Sequence, residues 1–206
     1  MYLSPKTGEI IPVGTKLSND NIRYHFGGKN MGGLRFSAVN KLLIVINNSD
    51  VDFFPDQHIT VDGEEIIIYF GEGNRGDQKI SMGNKRLYES NRQGTPLHYF
   101  IKEKSRNYPY NGRPRDEYTY HGLVKLINQT PAYNDFYTDD GRLIAKRGID
   151  GIPTLLGYFT HKEAFKAIRG PYRAHFYKTF NGWQPYRDVD GQPRSVILFP
   201  LRKLEG

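Results

Sequence analysis

Residues 66–87, IIIYFGEGNRGDQKISMGNKRL, carry the clearest pattern in the chain. The apolar run at 66–70 predicts a buried strand, and a loop with three glycines follows it. The polar residues after the loop lead to Ser81, which we expect to cap a helix that runs to 91 and is closed by Gly94. A strand that ends in aromatic residues and continues into a glycine-rich loop is typical of a pocket wall, because glycine lets the backbone approach a ligand closely.

Other short apolar runs predict further strands on both sides of this stretch. The turn Asp62-Gly63 directly before the strand at 66–70 is a strong hairpin signal. The segment at 117–128 alternates in polarity, which predicts a strand with one buried face. We expect strands at 41–46, 96–102, 117–128 and 195–201, with Tyr118, Tyr120, Gly122, Val124 and Leu126 on the buried face of the third.

The remaining segments give weaker signals. Residues 1–33 predict a short strand followed by a flexible arm, because turn residues surround a single apolar run. Residues 47–63 predict an irregular acidic loop that ends at the hairpin turn. Thr160 and Glu163 have the spacing of a capping box, so we expect a helix from there to 168, stopped by Gly170-Pro171.

The composition indicates a folded, turn-rich protein. Of 206 residues, 37% are hydrophobic and 14% are aromatic, and 22 Gly and 12 Pro lie between the short apolar runs. This pattern favours a β-rich fold and excludes a disordered chain. The sequence has no cysteine, which excludes disulfides and thiolate metal sites. It shows neither a signal peptide nor an apolar run long enough to span a bilayer.

Charge is unevenly distributed along the chain. The formal net charge is +7, but residues 47–73 hold seven acids and no Lys or Arg. Residues 75–115 hold ten Lys or Arg against three acids, and residues 142–178 hold eight against two. A single basic run is usually a solvated face. Two of them, interleaved with Tyr and Phe, favour a surface that binds a nucleic-acid backbone.

Six motifs follow one another in an order that a known family shares. They are IPVGT at 11–15, GGLRFS at 32–37 with KLLIVINN at 41–48, Asp62-Gly63 with IIIYFGEG at 66–73, GDQK at 76–79 with GNKRL at 83–87, GTPL at 94–97, and YTYHGLVK at 118–125. Together with VILFPL at 196–201, they resemble the SRA (SET- and RING-associated) domain, a reader of modified cytosine among the PUA-like barrel folds.

The resemblance implies an α+β, β-rich fold, namely a twisted SRA/PUA-like β-barrel with a few flanking helices. It covers about residues 10–128 and the final strand at 195–201. Residues 129–193 have no clear counterpart, and we interpret them as a family-specific insertion. The domain prediction is therefore a single SRA-like domain over residues 1–206.

The resemblance also implies a pocket that receives a modified cytosine flipped out of duplex DNA. Flipping is needed because the Watson–Crick edge and the modified edge cannot both be inspected inside the stack. Tyr69 matches the second stacking aromatic of the family, Phe53 or Phe54 matches the first, and Asp56 matches the acceptor for the cytosine amine. The residues expected in the pocket are Phe53, Phe54, Asp56, His58, Tyr69 and Phe70.

Two departures from the family pattern affect the pocket and the DNA contacts. Phe53 or Phe54 stands where the family has Tyr, and Phe70 stands where it often has a small hydroxyl residue, which changes the space for the C5 group. The loop between Gly73 and Gly76 is short, so Lys85, Arg86 or the 104–115 loop is expected to fill the place of the flipped base. The expected DNA-binding residues are Gly71, Gly73, Asn74, Arg75, Lys79, Lys85, Arg86, Arg106, Arg113 and Arg115.

Purely structural roles stay open for the same residues. Phe53 and Phe54 fit a hydrophobic core, Asp56 fits a turn after Pro55, and Tyr69 fits a barrel lining with a satisfied hydroxyl. His58 also fits an exposed loop position. Asp77, Gln78 and the loop glycines equally fit a role in bracing the turn.

Two other functions compete with the reader. Asp77 and Lys79 have the Asp-x-Lys spacing of a Mg²⁺-dependent restriction-type nuclease, with Asp62 or Glu72 as a second carboxylate. A PUA-like RNA-binding protein would also use a basic, aromatic surface. The same Asp77–Lys79 segment is explained by the SRA resemblance, which makes the reader the preferred hypothesis.

The partners and setting follow from the resemblance. The expected partner is double-stranded DNA with 5-methyl- or 5-hydroxymethylcytosine, read for a modification-dependent restriction system of the bacterial cytoplasm. The sequence shows no HNH signature, so we expect a nuclease domain elsewhere in the full-length protein and no catalytic residue here. The six histidines lack ligand spacing, and we expect no metal, no cofactor and no membrane contact.

Overall fold

Short strands dominate the structure, as the scattered glycines and prolines predict. The computed structural model describes residues 1–29, 31–47, 57–61, 64–76, 78–79, 81–106, 115–127, 136–137, 143–147, 153–155, 188–192 and 196–204. Within these residues the strands are β1 (Tyr2–Leu3), β2 (Ile10–Ile11), β3 (Lys16–Ser18), β4 (Leu34–Ser37), β5 (Leu42–Asn47), β6 (Gln57–Val61), β7 (Glu64–Phe70), β8 (Leu97–Arg106), β9 (Arg115–Leu126), β10 (Phe136–Tyr137), β11 (Leu143–Arg147), β12 (Pro153–Leu155) and β13 (Val196–Lys203), and the helices are α1 (Asn19–Phe26) and α2 (Met82–Gln93). The fold is α+β and β-rich, as predicted.

The chain divides into two compact units. Unit 1 comprises Met1–Asp52, Ile80–Leu126 and Arg202–Gly206, and unit 2 comprises Phe53–Lys79 and Ile127–Leu201. The closure of the strands into a barrel, and the assignment of residues 129–193 as an insertion in a single domain, stay predictions. The helix expected at 160–168 lies outside the described residues.

The sheet of unit 1 has the order β4-β5-β8-β9-β3. Its strand pairs are antiparallel except for β5 and β8, which run parallel. All six residues of β5 are buried, so this strand is covered on both faces. The predicted alternation of β9 is confirmed, because its five expected core positions are buried: Tyr118, Tyr120, Gly122, Val124 and Leu126.

Helix α1 lies where a flexible arm was expected, and that prediction was wrong. Ser18 caps the helix, since its Oγ accepts a hydrogen bond from the N–H of Asn21 at 3.2 Å. Ile22 and Phe26, one turn apart, are buried in the core of unit 1 with Phe100. Burial of this face stabilises a helix that is too short to form on its own.

Helix α2 confirms the predicted helix after the glycine loop. Gly94 ends it in the left-handed conformation, with φ of 64°, and its N–H bonds back to the last turn. Ser81 is the N-terminal flanking residue as expected, but its side chain makes no capping hydrogen bond. In the described part of the chain, neither helix has the length and apolar character needed to cross a membrane.

A histidine lies inside the aromatic core of unit 1. His98 on β8 is 3% exposed, and its Nδ1 lies 2.9 Å from the hydroxyl of Tyr120 on β9. The rings of Tyr2 and Phe26 make T-shaped contacts with it at centroid distances of 4.6 Å and 5.2 Å. Burial, with a smaller contribution from the N-terminal ammonium, lowers the pKa of His98 from 6.5 to about 4. Burial likewise raises the pKa of Tyr120.

Unit 2 is built around the strand that the opening sequence motif predicts. Strand β7 pairs with β6 and with β13. Strand β13 also pairs with β12, β12 pairs with β11, and β11 pairs with β10. The hairpin prediction is confirmed, because Val61 pairs with Glu64 and leaves two residues between the strands. The irregular loop expected over residues 47–63 was wrong for residues 57–61, which form strand β6. Their three β-branched residues suit a strand, and of these Ile59 pairs with Ile66 across the hairpin.

Candidate functional site

The end of β7 holds two of the expected pocket residues. Tyr69 is 3% exposed and Phe70 is 1% exposed. Successive side chains of a strand point to opposite faces, so the two rings lie on different sides of β7. His58 pairs with Ile67 across the hairpin, which puts His58 on the same face as Tyr69. The structure therefore brings His58 and Tyr69 to one face and puts Phe70 on the other.

His58 is held by a carboxylate on the neighbouring strand. Its Nδ1 lies 2.6 Å from Glu65 Oε1, and the side chains are 29% and 42% exposed. Glu65 pairs with Thr60, so His58 and Glu65 form a diagonal contact across the hairpin. This contact fixes the ring on the face that it shares with Tyr69.

The loop that follows β7 is stabilised by Gln78. Gly73 and Gly76 have φ angles of +117° and +59°, a region that favours glycine. The side chain of Gln78 is buried, and its Nε2 donates hydrogen bonds to the carbonyl oxygen of Gly71 and, at 3.3 Å, to that of Gly73. The amide thus ties the start of the loop to the segment that leaves it. We call residues 71–76 the glycine loop.

The glycine loop presents polar side chains at the surface. Asn74 and Arg75 are exposed, and the Arg75 side chain is 74% exposed. Lys79, just after the loop, is exposed as well. These are residues for which DNA contacts were predicted. An exposed guanidinium on a fixed backbone is suited to bind a phosphate, because Arg offers several donors in a planar fork.

A distant segment contacts the glycine loop, and sequence reasoning missed it. Asp188 is 6% exposed, and its Oδ2 accepts a hydrogen bond from the N–H of Gly76 at 2.9 Å. The N–H of Val189 donates to the carbonyl oxygen of Asn74 at 3.0 Å. Asp190 Oδ2 lies 3.3 Å from Arg75 Nε. The turn signal Asp-Val-Asp-Gly was visible in the sequence, but nothing there indicated which loop it would meet.

Helix α2, in unit 1, carries two more of the expected DNA-binding residues. Lys85 and Arg86 are both exposed near its N-terminal end. The guanidinium of Arg86 lies over the Phe36 ring at 3.9 Å from the centroid, a cation–π contact that restricts its position. This half of the helix contributes positive charge without an acidic residue in its first turn.

Strands β8 and β9 bring two arginines opposite each other. The backbone positions of Arg106 and Arg115 pair directly in this ladder, and eight residues lie between them in the sequence. Phe53, Phe54, Asp56 and Arg113 lie outside the described residues, as does Asp77. Their predicted roles stay predictions.

The comparisons with known proteins point to one domain family. Residues 13–114 match the family model described as ScoMcrA-like, SRA domain. The search of curated proteins found no match.

Several solved structures are similar to this chain, and three of them are compared with it by identity, TM-score and coverage. KRYPTONITE in complex with mCHG DNA and SAH is 15% identical, with a TM-score of 0.47, over 95% of this chain and 32% of that chain. The Type IV phosphorothioation-dependent restriction endonuclease ScoMcrA is 16% identical, with a TM-score of 0.47, over 97% of this chain and 29% of that chain. The SUVH5 SRA–fully methylated CG DNA complex is 13% identical, with a TM-score of 0.46, over 100% of this chain and 96% of that chain. The chain thus spans about a third of the length of the first of these proteins.

Proposed function

We propose that the chain reads modified cytosine in double-stranded DNA, because residues 13–114 match the ScoMcrA-like SRA domain family. The modified base, carrying a 5-methyl or 5-hydroxymethyl group, is flipped out of the duplex and held in a pocket beside Tyr69. The observation that carries the proposal is the family match through residues 66–87, where a buried aromatic strand end leads into a braced glycine loop with an exposed arginine.

The hairpin geometry supports the pocket. Tyr69 is buried, which suits an aromatic that lines an enclosed pocket rather than the outer surface. Asp56 directly precedes β6 in the sequence, and the first residue of β6, Gln57, pairs with Ile68. A carboxylate there accepts a hydrogen bond from the exocyclic amine of cytosine, which thymine lacks. We propose Asp56 as this acceptor and His58 as the side chain nearest the C5 substituent.

The exposed cations support binding to the DNA backbone. Arg75 and Lys79 in unit 2 and Lys85 and Arg86 in unit 1 are exposed and belong to the most basic part of the sequence. Arg106 and Arg115, whose backbone positions pair across β8 and β9, add two further cations from this part of the sequence. Contacts of this kind position a protein on a duplex without reading sequence.

We further propose that this chain is the recognition part of a modification-dependent restriction system. The matching family model is named after ScoMcrA, which is described as a restriction endonuclease. The nuclease activity of such a system would come from a separate domain or partner. Double-stranded DNA is then the ligand of the present chain.

The test is a binding panel on one duplex. Four duplexes differ at a single cytosine, which is unmodified or carries a 5-methyl, a 5-hydroxymethyl or a glucosylated hydroxymethyl group. A fifth duplex carries a phosphorothioate. Binding to all five is measured at one salt concentration with Mg²⁺ present. Preference for one C5-modified duplex supports the proposal. Equal affinity for all duplexes refutes the pocket, and tighter binding to a single-stranded RNA of the same length supports an RNA-binding protein. Cleaved products on a denaturing gel would instead favour the nuclease site at Asp77 and Lys79.

A further inference from the structure

A five-residue turn far along the chain is locked by its own aspartate. Asp188 Oδ1 accepts hydrogen bonds from the N–H groups of Asp190 at 3.0 Å and Gln192 at 2.9 Å. The N–H of Asp188 donates to the carbonyl oxygen of Gln192, and that of Gly191 donates to the carbonyl oxygen of Asp188. We call residues 188–192 the anchoring turn. Because these hydrogen bonds lie within the turn, they hold its backbone in one conformation, and a segment that bonds to the turn is restrained by it.

The anchoring turn contacts three consecutive residues of the glycine loop. The backbone carbonyl of Asn74 and the backbone N–H of Gly76 are each hydrogen-bonded to it, at 3.0 Å and 2.9 Å. Between them, the Arg75 side chain pairs with Asp190 at 3.3 Å. The two backbone bonds fix the direction in which the exposed Arg75 leaves the loop.

The chemistry of Asp188 suits this role better than a neutral side chain would. A carboxylate accepts through both oxygens, and Asp188 uses one for its own turn and the other for Gly76. Its burial makes these N–H donors necessary, because a buried charge without partners is unfavourable. A glycine-rich loop loses much backbone freedom when it is ordered, so fixing it before binding improves affinity and selectivity.

We infer that Asp188 is a positioning residue for DNA recognition. It holds the glycine loop, and with it Asn74 and Arg75, in the arrangement that meets the duplex. This inference rests on the proposed function, since it assumes that the glycine loop contacts DNA. It also gives a purpose to a part of the chain outside residues 13–114, where the family model matches.

The first variant is Asp188→Asn, which has nearly the same shape. Whichever way the amide lies, one of its ends is an NH₂ that faces an N–H donor, so the turn or Gly76 loses its acceptor. The control is Asp190→Asn, which makes the same change of charge in the same turn but removes only the pair with Arg75. Both are compared with the unaltered chain by melting temperature, by hydrogen exchange of residues 71–76, and by Kd for modified and unmodified duplexes.

We expect Asp188→Asn to speed hydrogen exchange of the glycine loop and to reduce the Kd ratio between unmodified and modified duplexes by about tenfold, the worth of one charge-assisted hydrogen bond. Asp190→Asn should leave exchange and the ratio unchanged, and should tighten binding to both duplexes alike because a negative charge is lost. If Asp188→Asn proves unfolded by circular dichroism, Asp188→Ser replaces it, since a hydroxyl still caps the turn but is too short for Gly76.

Unchanged exchange, or an unchanged Kd ratio, in the folded Asp188 variant overturns the inference. Equal effects of the two asparagine variants on the ratio also overturn it, because charge alone would then explain them. A chain that prefers no modified duplex refutes the proposed function instead. In that case the exchange experiment still decides whether Asp188 holds the loop.

Discussion

Mild acid is expected to destabilise the protein through His98. This imidazole is 3% exposed among Tyr2, Phe26 and Tyr120, and its pKa is lowered to about 4. In the unfolded chain the same group has a pKa of about 6.5. Between these values the unfolded state binds a proton that the folded state does not. The contribution of neutral His98 is therefore fully present above about pH 6.5 and is lost as the pH falls toward 4.

The size of the effect follows from the two pKa values. The difference between 6.5 and about 4, at about 1.4 kcal/mol per pH unit, limits the loss of unfolding free energy to roughly 3 kcal/mol. At about pH 4.5, where the folded state has begun to bind the proton, the loss is roughly 2–3 kcal/mol. A domain with a total stability of about 5–15 kcal/mol would show this clearly.

The assay is urea unfolding, followed by circular dichroism, at several pH values from about 7.5 to about 4.5. Carboxylates also contribute to acid destabilisation, so the comparison is with His98→Gln, whose amide retains a partner for the Tyr120 hydroxyl but does not titrate. The loss of unfolding free energy over this pH range should be smaller in this variant by roughly 2–3 kcal/mol. Equal slopes for the unaltered chain and His98→Gln would refute the reasoning.

Three further predictions concern DNA binding and the loop. Asp56→Ala should abolish the preference for modified over unmodified duplex in the binding panel while non-specific binding persists, whereas equal loss of both would reject the assigned acceptor. Arg106→Ala combined with Arg115→Ala should weaken binding to all duplexes alike and reduce the slope of log K against log salt by about two, and an unchanged slope would argue against phosphate contacts. Gln78→Glu sets a carboxylate against the carbonyl oxygens that now accept from the amide, so urea unfolding should show a loss of about 1–3 kcal/mol, and unchanged stability would contradict the bracing role.

Local pattern predicted much of the framework. The alternation of β9 is confirmed because alternating polarity defines a strand with one buried face. The hairpin before β7 is confirmed because an Asp-Gly turn reverses the chain between two strands. The helix after the glycine loop ends at Gly94 because only a residue that tolerates positive φ can close it in this way. In these places the information lies within a few residues of the element itself.

The features that the sequence did not predict depend on residues far away in the chain. Helix α1 has the sequence NDNIRYHF, in which Asn, Asp, Tyr and His have weak helix propensity, so the burial of Ile22 and Phe26 decides its conformation. Asp188 contacts Gly76 across 112 residues of sequence. A turn motif shows that an aspartate will bond to its own backbone, but its second oxygen is committed only by the tertiary structure.

The β8–β9 ladder pairs residues of like charge at two positions. Glu103 and Glu117 face each other in it, and like charges in that position repel. Lys16 offsets this repulsion, since its Nζ lies 2.9 Å from Glu103 and 3.6 Å from Glu117. Farther along the same ladder the backbone positions of Arg106 and Arg115 are paired. In the proposed function, these two arginines give affinity for any duplex, and the anchored glycine loop helps to select the modified one.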